Sequence, residues 1–185
     1  FTYVRSGGTW IPEAKIIAED GLGGKNFGSM VALSGNTIVV KDSQYGDFGA
    51  AYIFVRDAGI WSQQARITLE EKFVDSVAIS NDTVVVANES RSRVFLRTGG
   101  GWNQQADFDS GWRVLSWAVD GDTLALGGDG GCRLFSRSGS DWIATGQVWP
   151  GQEIQFHYFG AATALEGDRL LVGASDVGPP YSWGG

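Results

Sequence analysis

The feature that most constrains this chain is a hairpin written four times. Residues 49–67 read GAAYIFVRDAGIWSQQARI: an apolar run ending at Arg56, a turn containing Gly59, then Trp61 and a second, alternating run that closes at Ile67. The same pattern stands as FTYVRSGGTWIPEAKI from Phe1, as RVFLRTGGGWNQQADF from Arg93 and as CRLFSRSGSDWIATGQV from Cys132. A chain that repeats one hairpin in this way cannot be read as a single irregular fold. It is an array of one supersecondary unit.

A second signal lies between these hairpins. Gly35-Asn36, Asn81-Asp82, Gly121-Asp122 and Gly167-Asp168 each join two apolar runs. Two-residue turns of this composition are the strongest short-range hairpin signal, because both turn residues need positive φ. The runs that follow, 37–40, 83–87, 123–126 and 170–172, are nearly continuous in apolar residues, which suits strands covered on both faces. Ala32, Ala78, Ala118 and Ala164 each stand four residues before the Asn or Asp of their turn. A small residue at one place in every copy implies close approach of neighbouring sheets. The Ala and Trp columns recur about every 40–50 residues, the period of solenoids and propellers.

These units predict an all-β fold, a β-propeller of four-stranded antiparallel blades, with blades at 27–68, 73–109 and 112–148. A fourth blade begins at 159–185, where the sequence ends DVGPPYSWGG with two strands of its unit unwritten. Those are the two strands with which the chain begins, so strands in 1–16 are expected to complete that blade. The expectation is a single domain over 1–185, closed as four blades, since ring closure removes unpaired edges. The alternative is that these blades form part of a larger six- to eight-bladed ring.

Composition excludes several classes. The chain has 185 residues, 43% of them hydrophobic, with 28 glycines and four prolines, which fits short strands joined by Gly turns. The formal charge of −7 argues against nucleic acid, which needs a basic face to displace counterions. No apolar run approaches the length of a membrane span. Cys132, the single cysteine, rules out an intrachain disulfide framework and a Cys-based zinc site. His157, the single histidine, rules out a His-cluster metal site and reads as structural. The first residue already lies in a strand pattern with no leader-like segment before it, as expected of a mature, trimmed or excised chain.

Phe27-Gly28-Ser29 before VALSGNTIVV, Phe159-Gly160-Ala161 before TALEGDRLLVGA, and the AYIFVR and W-x-Q-Q-A-R blocks that follow resemble FG-GAP repeats, the units of integrin-type β-propellers. The second and third units depart from the pattern, with Phe73-Val74 and Trp112-Arg113 in place of the Phe-Gly pair. The resemblance implies blades of four antiparallel strands, an extracellular or cell-surface setting, and adhesion or partner binding as the role.

It also implies calcium as the first cofactor to consider, held in some such blades by a DxDxDG loop. Here the hairpin turns leave no room for that loop. Asp42 and Asp47, with Glu19, Asp20 and Asp176, lie in longer loops and could contribute oxygen ligands, but none forms a run with ligand spacing, and the expectation is no cofactor. Asp107 with Asp109, or Glu70 with Glu71, could supply the two carboxylates of glycoside hydrolysis, but Asp107 and Asp109 fall on an outermost strand. Cys132, in the column of Ala51 and Ser92, is expected to be a packed, inert thiol. Trp10, Trp61, Trp102 and Trp142 recur in register, which argues for packing rather than sugar stacking. Pro179, Pro180, Tyr181 and Trp183 stand outside the repeat register in a stiff aromatic loop, the candidate contact with a glycan or protein. Asn81-Asp82-Thr83 and Asn88-Glu89-Ser90 are sequons, so Asn81 and Asn88 are acceptors if the chain is secreted from a eukaryotic cell.

The function expected is an extracellular, non-catalytic binding, adhesion or scaffolding module, with an extracellular protein or glycan, or other chains of a larger assembly, as partners. A lectin is the alternative. A propeller glycoside hydrolase is the second alternative.

Overall fold

The computed structural model describes residues 1–20, 26–43, 49–69, 74–109, 111–128, 131–150 and 156–177. Among the described residues there are sixteen strands. A two-stranded sheet comes first, β1 (Thr2–Ser6) and β2 (Thr9–Ala14). Three four-stranded sheets follow. The first blade holds β3 (Met30–Ser34), β4 (Thr37–Asp42), β5 (Ala50–Asp57) and β6 (Ile60–Thr68). The second holds β7 (Ser76–Ser80), β8 (Thr83–Ala87), β9 (Arg91–Thr98) and β10 (Gly101–Asp109). The third holds β11 (Val114–Asp120), β12 (Thr123–Gly128), β13 (Gly131–Ser138) and β14 (Asp141–Val148). A second two-stranded sheet, β15 (Phe156–Glu166) and β16 (Arg169–Val177), ends the series. Every pairing is antiparallel between sequence neighbours, the up-and-down order of propeller blades. Among the described residues no helix is long and apolar enough to cross a membrane.

The inner strands explain the unbroken apolar runs. Val39, Val85 and Ala125 occupy one position of β4, β8 and β12, and all are essentially without exposure, because each faces the sheet that follows its own. One core cluster joins Val39 and Ile53 of the first blade to Val77, Val84, Val86 and Phe95 of the second. The next joins Val85 and Val94 to Val114, Leu124, Leu126 and Trp142 of the third. A smaller one packs Ala118, Ala125 and Cys132 against Leu165, Leu170 and Val172 of β15 and β16. The core therefore sits at the seams between sheets.

The sheet expected to close the ring is absent among the described residues: β1–β2 and β15–β16 are separate two-stranded sheets. β3 packs on β7, β7 on β11 and β11 on β15, and Val31 and Leu33 on the outward face of β3 remain 64% and 66% exposed. The blades form an open series with half a blade at each end. Each end holds the half that the other lacks.

The Phe-Gly pairs have a backbone reason. Gly28 and Gly160 adopt φ of 90° and 97°, a region that L side chains rarely enter. At Gly160 space is excluded as well, since a Cβ there would stand 2.6 Å from both Gly128 N and Gly131 O.

Candidate functional site

Polar side chains of the outer hairpins and inner turns converge on the seams. In the outer hairpins, one residue is bulged out of register three positions after the Trp: Glu13, Gln64, Gln105 and Thr145. A bulge re-aims its side chain; at Glu13 and Gln64 it reaches the next blade, whereas Thr145 Oγ1 meets Ser136 Oγ of its own blade. Trp61 Nε1–H donates to Glu13 Oε2 (2.9 Å) and Trp102 Nε1–H to Gln64 Oε1 (2.8 Å). Arg56 Nε–H also donates to Glu13 (2.6 Å). The Trp61 indole N–H, with Arg56 beside it, holds the Glu13 carboxyl below its usual value against the opposing effect of desolvation. Arg97 lies over the Trp102 ring at 4.8 Å, and Trp142 is buried in the seam between the second and third blades. The Trp column thus packs blades together, except at Trp10, which is 64% exposed at the open end.

A second latch runs along the inner turns. The Asn81 N–H donates to Ser34 Oγ (2.9 Å), the Gly121 N–H to Ser80 Oγ (3.0 Å) and the Gly167 N–H to Asp120 Oδ2 (2.7 Å). In each case the first turn residue of one sheet is held by the residue preceding the turn of the sheet before it. Within each blade a third contact repeats: the backbone N–H of Arg56, Arg97 or Arg137 donates to the carbonyl of Asn36, Asp82 or Asp122 (2.8, 2.9 and 2.8 Å). Arg97 pairs with Asp82 and Arg137 with Asp122 through their side chains too. The bulge and pre-turn latches were missed from sequence, yet both carry a signal. An oxygen-bearing side chain stands three places after every repeated Trp and one place before every inner turn.

The open end leaves a groove of about 680 Å³ between β1–β2 and the first blade, lined by Thr2, Tyr3, Val31, Leu33, Ile38 and Val40 among others. Its volume is that of a ligand pocket, and its walls are apolar. An aromatic group, also missed from sequence, lies on the third blade: Trp149, 55% exposed, meets Trp112 edge-on at 5.8 Å, and Arg133 covers the Trp112 ring at 4.2 Å.

The other sequence candidates separate. Asp42 lies at the end of β4 rather than in a loop and is buried, which corrects its placement. Asp47, Glu70, Glu71, Pro179, Pro180, Tyr181 and Trp183 fall outside the described residues. Among the described residues no group of three or more His, Cys, Asp or Glu could hold a metal ion. Asp107 takes Arg91 Nε–H (2.7 Å) and Arg93 Nε–H (3.1 Å), and Asp109 takes the Gly111 N–H (3.0 Å); their roles are in the outer hairpin. Asn81 is exposed at its turn with φ of 51°. Asn88 is buried, and its Oδ1 accepts from the N–H groups of Ser90 and Arg91. That is the geometry of an Asx turn, which engages the amide oxygen of Asn88. Cys132 is fully buried and desolvation pushes its thiol up to about 11, as an inert packed residue requires. His157 stands opposite Asp176 in the register of β15 and β16.

The geometry defines a class: a β-propeller array of four-stranded antiparallel blades joined by apolar seams and side-chain latches. Comparison with known proteins agrees. Residues 10–54, from the β1–β2 hairpin into β5, match the FG-GAP repeat, so the chain carries an FG-GAP repeat. Among solved structures it is similar to Sqt1 of Saccharomyces cerevisiae, a WD40 β-propeller, at 12% identity and a TM-score of 0.52 over 65% of this chain. The match spans about a third of that protein, 35% of its length, and it establishes shared fold alone. No curated protein matches the chain.

Proposed function

We propose that the chain is a non-catalytic, extracellular binding and scaffolding module that engages a protein partner through the loops and faces of its blades. What carries the reading is where the FG-GAP repeat lies: residues 10–54 supply most of the lining of the groove, while Glu13, the carboxylate of that lining, is held by Trp61 and Arg56. A site of this kind offers area and shape rather than a nucleophile or a free acid–base pair. Apolar surface with aromatic groups is the usual basis of protein recognition. The extracellular setting rests on the FG-GAP resemblance.

The test is a binding screen of the immobilised chain against a panel of extracellular protein domains, with a glycan array and chromogenic glycosides in parallel. The expected result is a saturable protein ligand and no glycoside turnover. Turnover of a glycoside, or binding confined to glycans, would overturn the reading.

A second reading, carbohydrate binding, is favoured by one observation, the exposed Trp149 braced on Trp112. A flat indole of that kind can stack on a sugar ring. Glycan binding lost in Trp149→Ala would favour it.

A further inference from the structure

The seam between the second and third blades leaves open what the repeat closes elsewhere. Trp61 and Trp102 donate their indole N–H groups to Glu13 and Gln64, whereas Trp142, 8% exposed, has an indole nitrogen with no hydrogen-bond partner among the described residues. One cross-strand pair tells the same story. Tyr52 faces Arg66, whose Nε–H donates to the Tyr52 hydroxyl (3.2 Å), and Arg93 faces Asp107, its Nε–H donating to the carboxylate (3.1 Å). At that position the third blade has Arg133 facing Gln147. Arg133 lies over the Trp112 ring at 4.2 Å, and Gln147 is exposed. Arg91, which shares Asp107 with Arg93, is replaced in the third blade by Gly131, where a Cβ would stand 2.8 Å from the Trp149 ring. The outer strand is slimmer too, with Ala144 and Gly146 where the second blade has Gln104 and Ala106.

These changes leave a cleft of about 640 Å³ between the end of β10 and the β13–β14 hairpin. Its apolar part is Phe108 and Phe135, whose rings lie 4.4 Å apart. Asp109, Arg133, Thr145 and Gln147 supply its polar groups. The Gly111 N–H donates to Asp109 Oδ1 (3.0 Å), which fixes that carboxylate at the end of β10. Through the Trp112 ring, Arg133 ties the cleft to the exposed Trp149.

We propose that this cleft binds a neutral pyranose sugar, an inference that rests on the carbohydrate reading above and leaves the protein partner to the apolar groove. A pyranose has a face of C–H groups and a rim of hydroxyls. Aromatic rings suit the first, and planar carboxylate and amide groups the second. The cleft and its margin hold both: Phe108, Phe135 and the Trp149 indole for the C–H face, Asp109 as acceptor, Gln147 as donor and acceptor, and the Thr145 hydroxyl. The volume lies in the range of small-molecule sites. Asp109 and the formal charge of −7 select against an acidic sugar, since juxtaposed like charges are costly.

Calorimetric titration of the 185-residue chain tests the proposal. The probes are methyl glycosides of galactose, glucose, mannose and N-acetylglucosamine, with those of glucuronic and N-acetylneuraminic acid as acidic counterparts. At least one neutral glycoside is expected to bind saturably, and the acidic ones about tenfold more weakly or worse. Free reducing sugars run beside them distinguish a soluble sugar from the terminal residue of a glycan. Asp109→Asn, which keeps an acceptor for the Gly111 N–H, and Gln147→Ala should each weaken binding by roughly fivefold. Binding of no sugar would overturn the site and the carbohydrate reading together. Binding that Trp149→Ala abolishes but both cleft variants leave unchanged would overturn the site and spare that reading, as would preference for an acidic glycoside. Asp109 and Gln147 are exposed, so circular dichroism of each variant separates lost binding from lost folding.

Discussion

The closed seams and the open ends of this molecule are built from the same residues in different company. Val85 in β8 and Leu171 in β16 occupy one position of the repeat, yet the first is 1% exposed and the second 71%. Trp142 and Trp10 differ in the same way, at 8% and 64%. The repeat therefore gives each residue an orientation, and only the neighbouring sheet gives it an environment. Stability is concentrated where two sheets share a seam. The ends retain apolar surface of the kind that marks interaction sites.

The sharpest way to break that comparison is at the two glycines of the Phe-Gly pairs. Gly160→Ala combines a positive φ with a Cβ driven into the backbone of Gly128 and Gly131, and should cost about 3–5 kcal/mol. Gly28→Ala, with the same φ but open space around it, should cost about 1–2 kcal/mol. Urea unfolding of the two variants checks the order, and equal losses would show that the close approach at Gly160 carries no weight.

The next contrast is Val85→Ala against Leu171→Ala. Removing two methyl groups from the seam should destabilise by about 2 kcal/mol. Truncating Leu171 at the exposed end, although it removes one carbon more, should change stability by less than about 0.5 kcal/mol in dilute protein. A smaller effect attaches to the latches. Gln64→Leu removes the acceptor of the Trp102 N–H and should cost about 1 kcal/mol, with a shift in tryptophan emission as the indole loses its partner.

The mildest effect concerns pH at the β1–β2 sheet. The folded-state pKa of Glu13 lies below its ordinary value of 4.5, chiefly through Trp61, so its contribution is fully present above that pH. It is lost as the pH falls through the lowered value. The wild type should lose stability over that acid window by more than Glu13→Gln does, and parallel pH profiles for the two would remove Glu13 from the seam.

Much of the fold was legible in the chain itself. The Gly/Asn/Asp turns and the runs between them pointed to the hairpins because turn chemistry and period-two patterning act over a few residues. The Trp and Ala columns identified packing positions by recurrence. The candidate sites were less legible. Asn88 fits a sequon, and its amide oxygen closes a turn in a buried position; Asp42 reads as loop beside Ser43 in sequence, yet β4 extends to include it. Glu13 and Gln64 carry nothing in isolation that predicts a bond to Trp61 or Trp102, since the acceptor and donor are about 40–50 residues apart and meet only when blades stack.

What sequence alone determined is the unit: four antiparallel strands, their turns and their inward faces. Ring closure was beyond it, because joining the last strand to the first depends on the angle that accumulates between successive sheets, and side-chain packing at every seam sets that angle. Tertiary structure decided that the half-blades stand apart. Leu171 faces solvent and Val31 a groove, where Val85 and Val77 meet a neighbouring sheet.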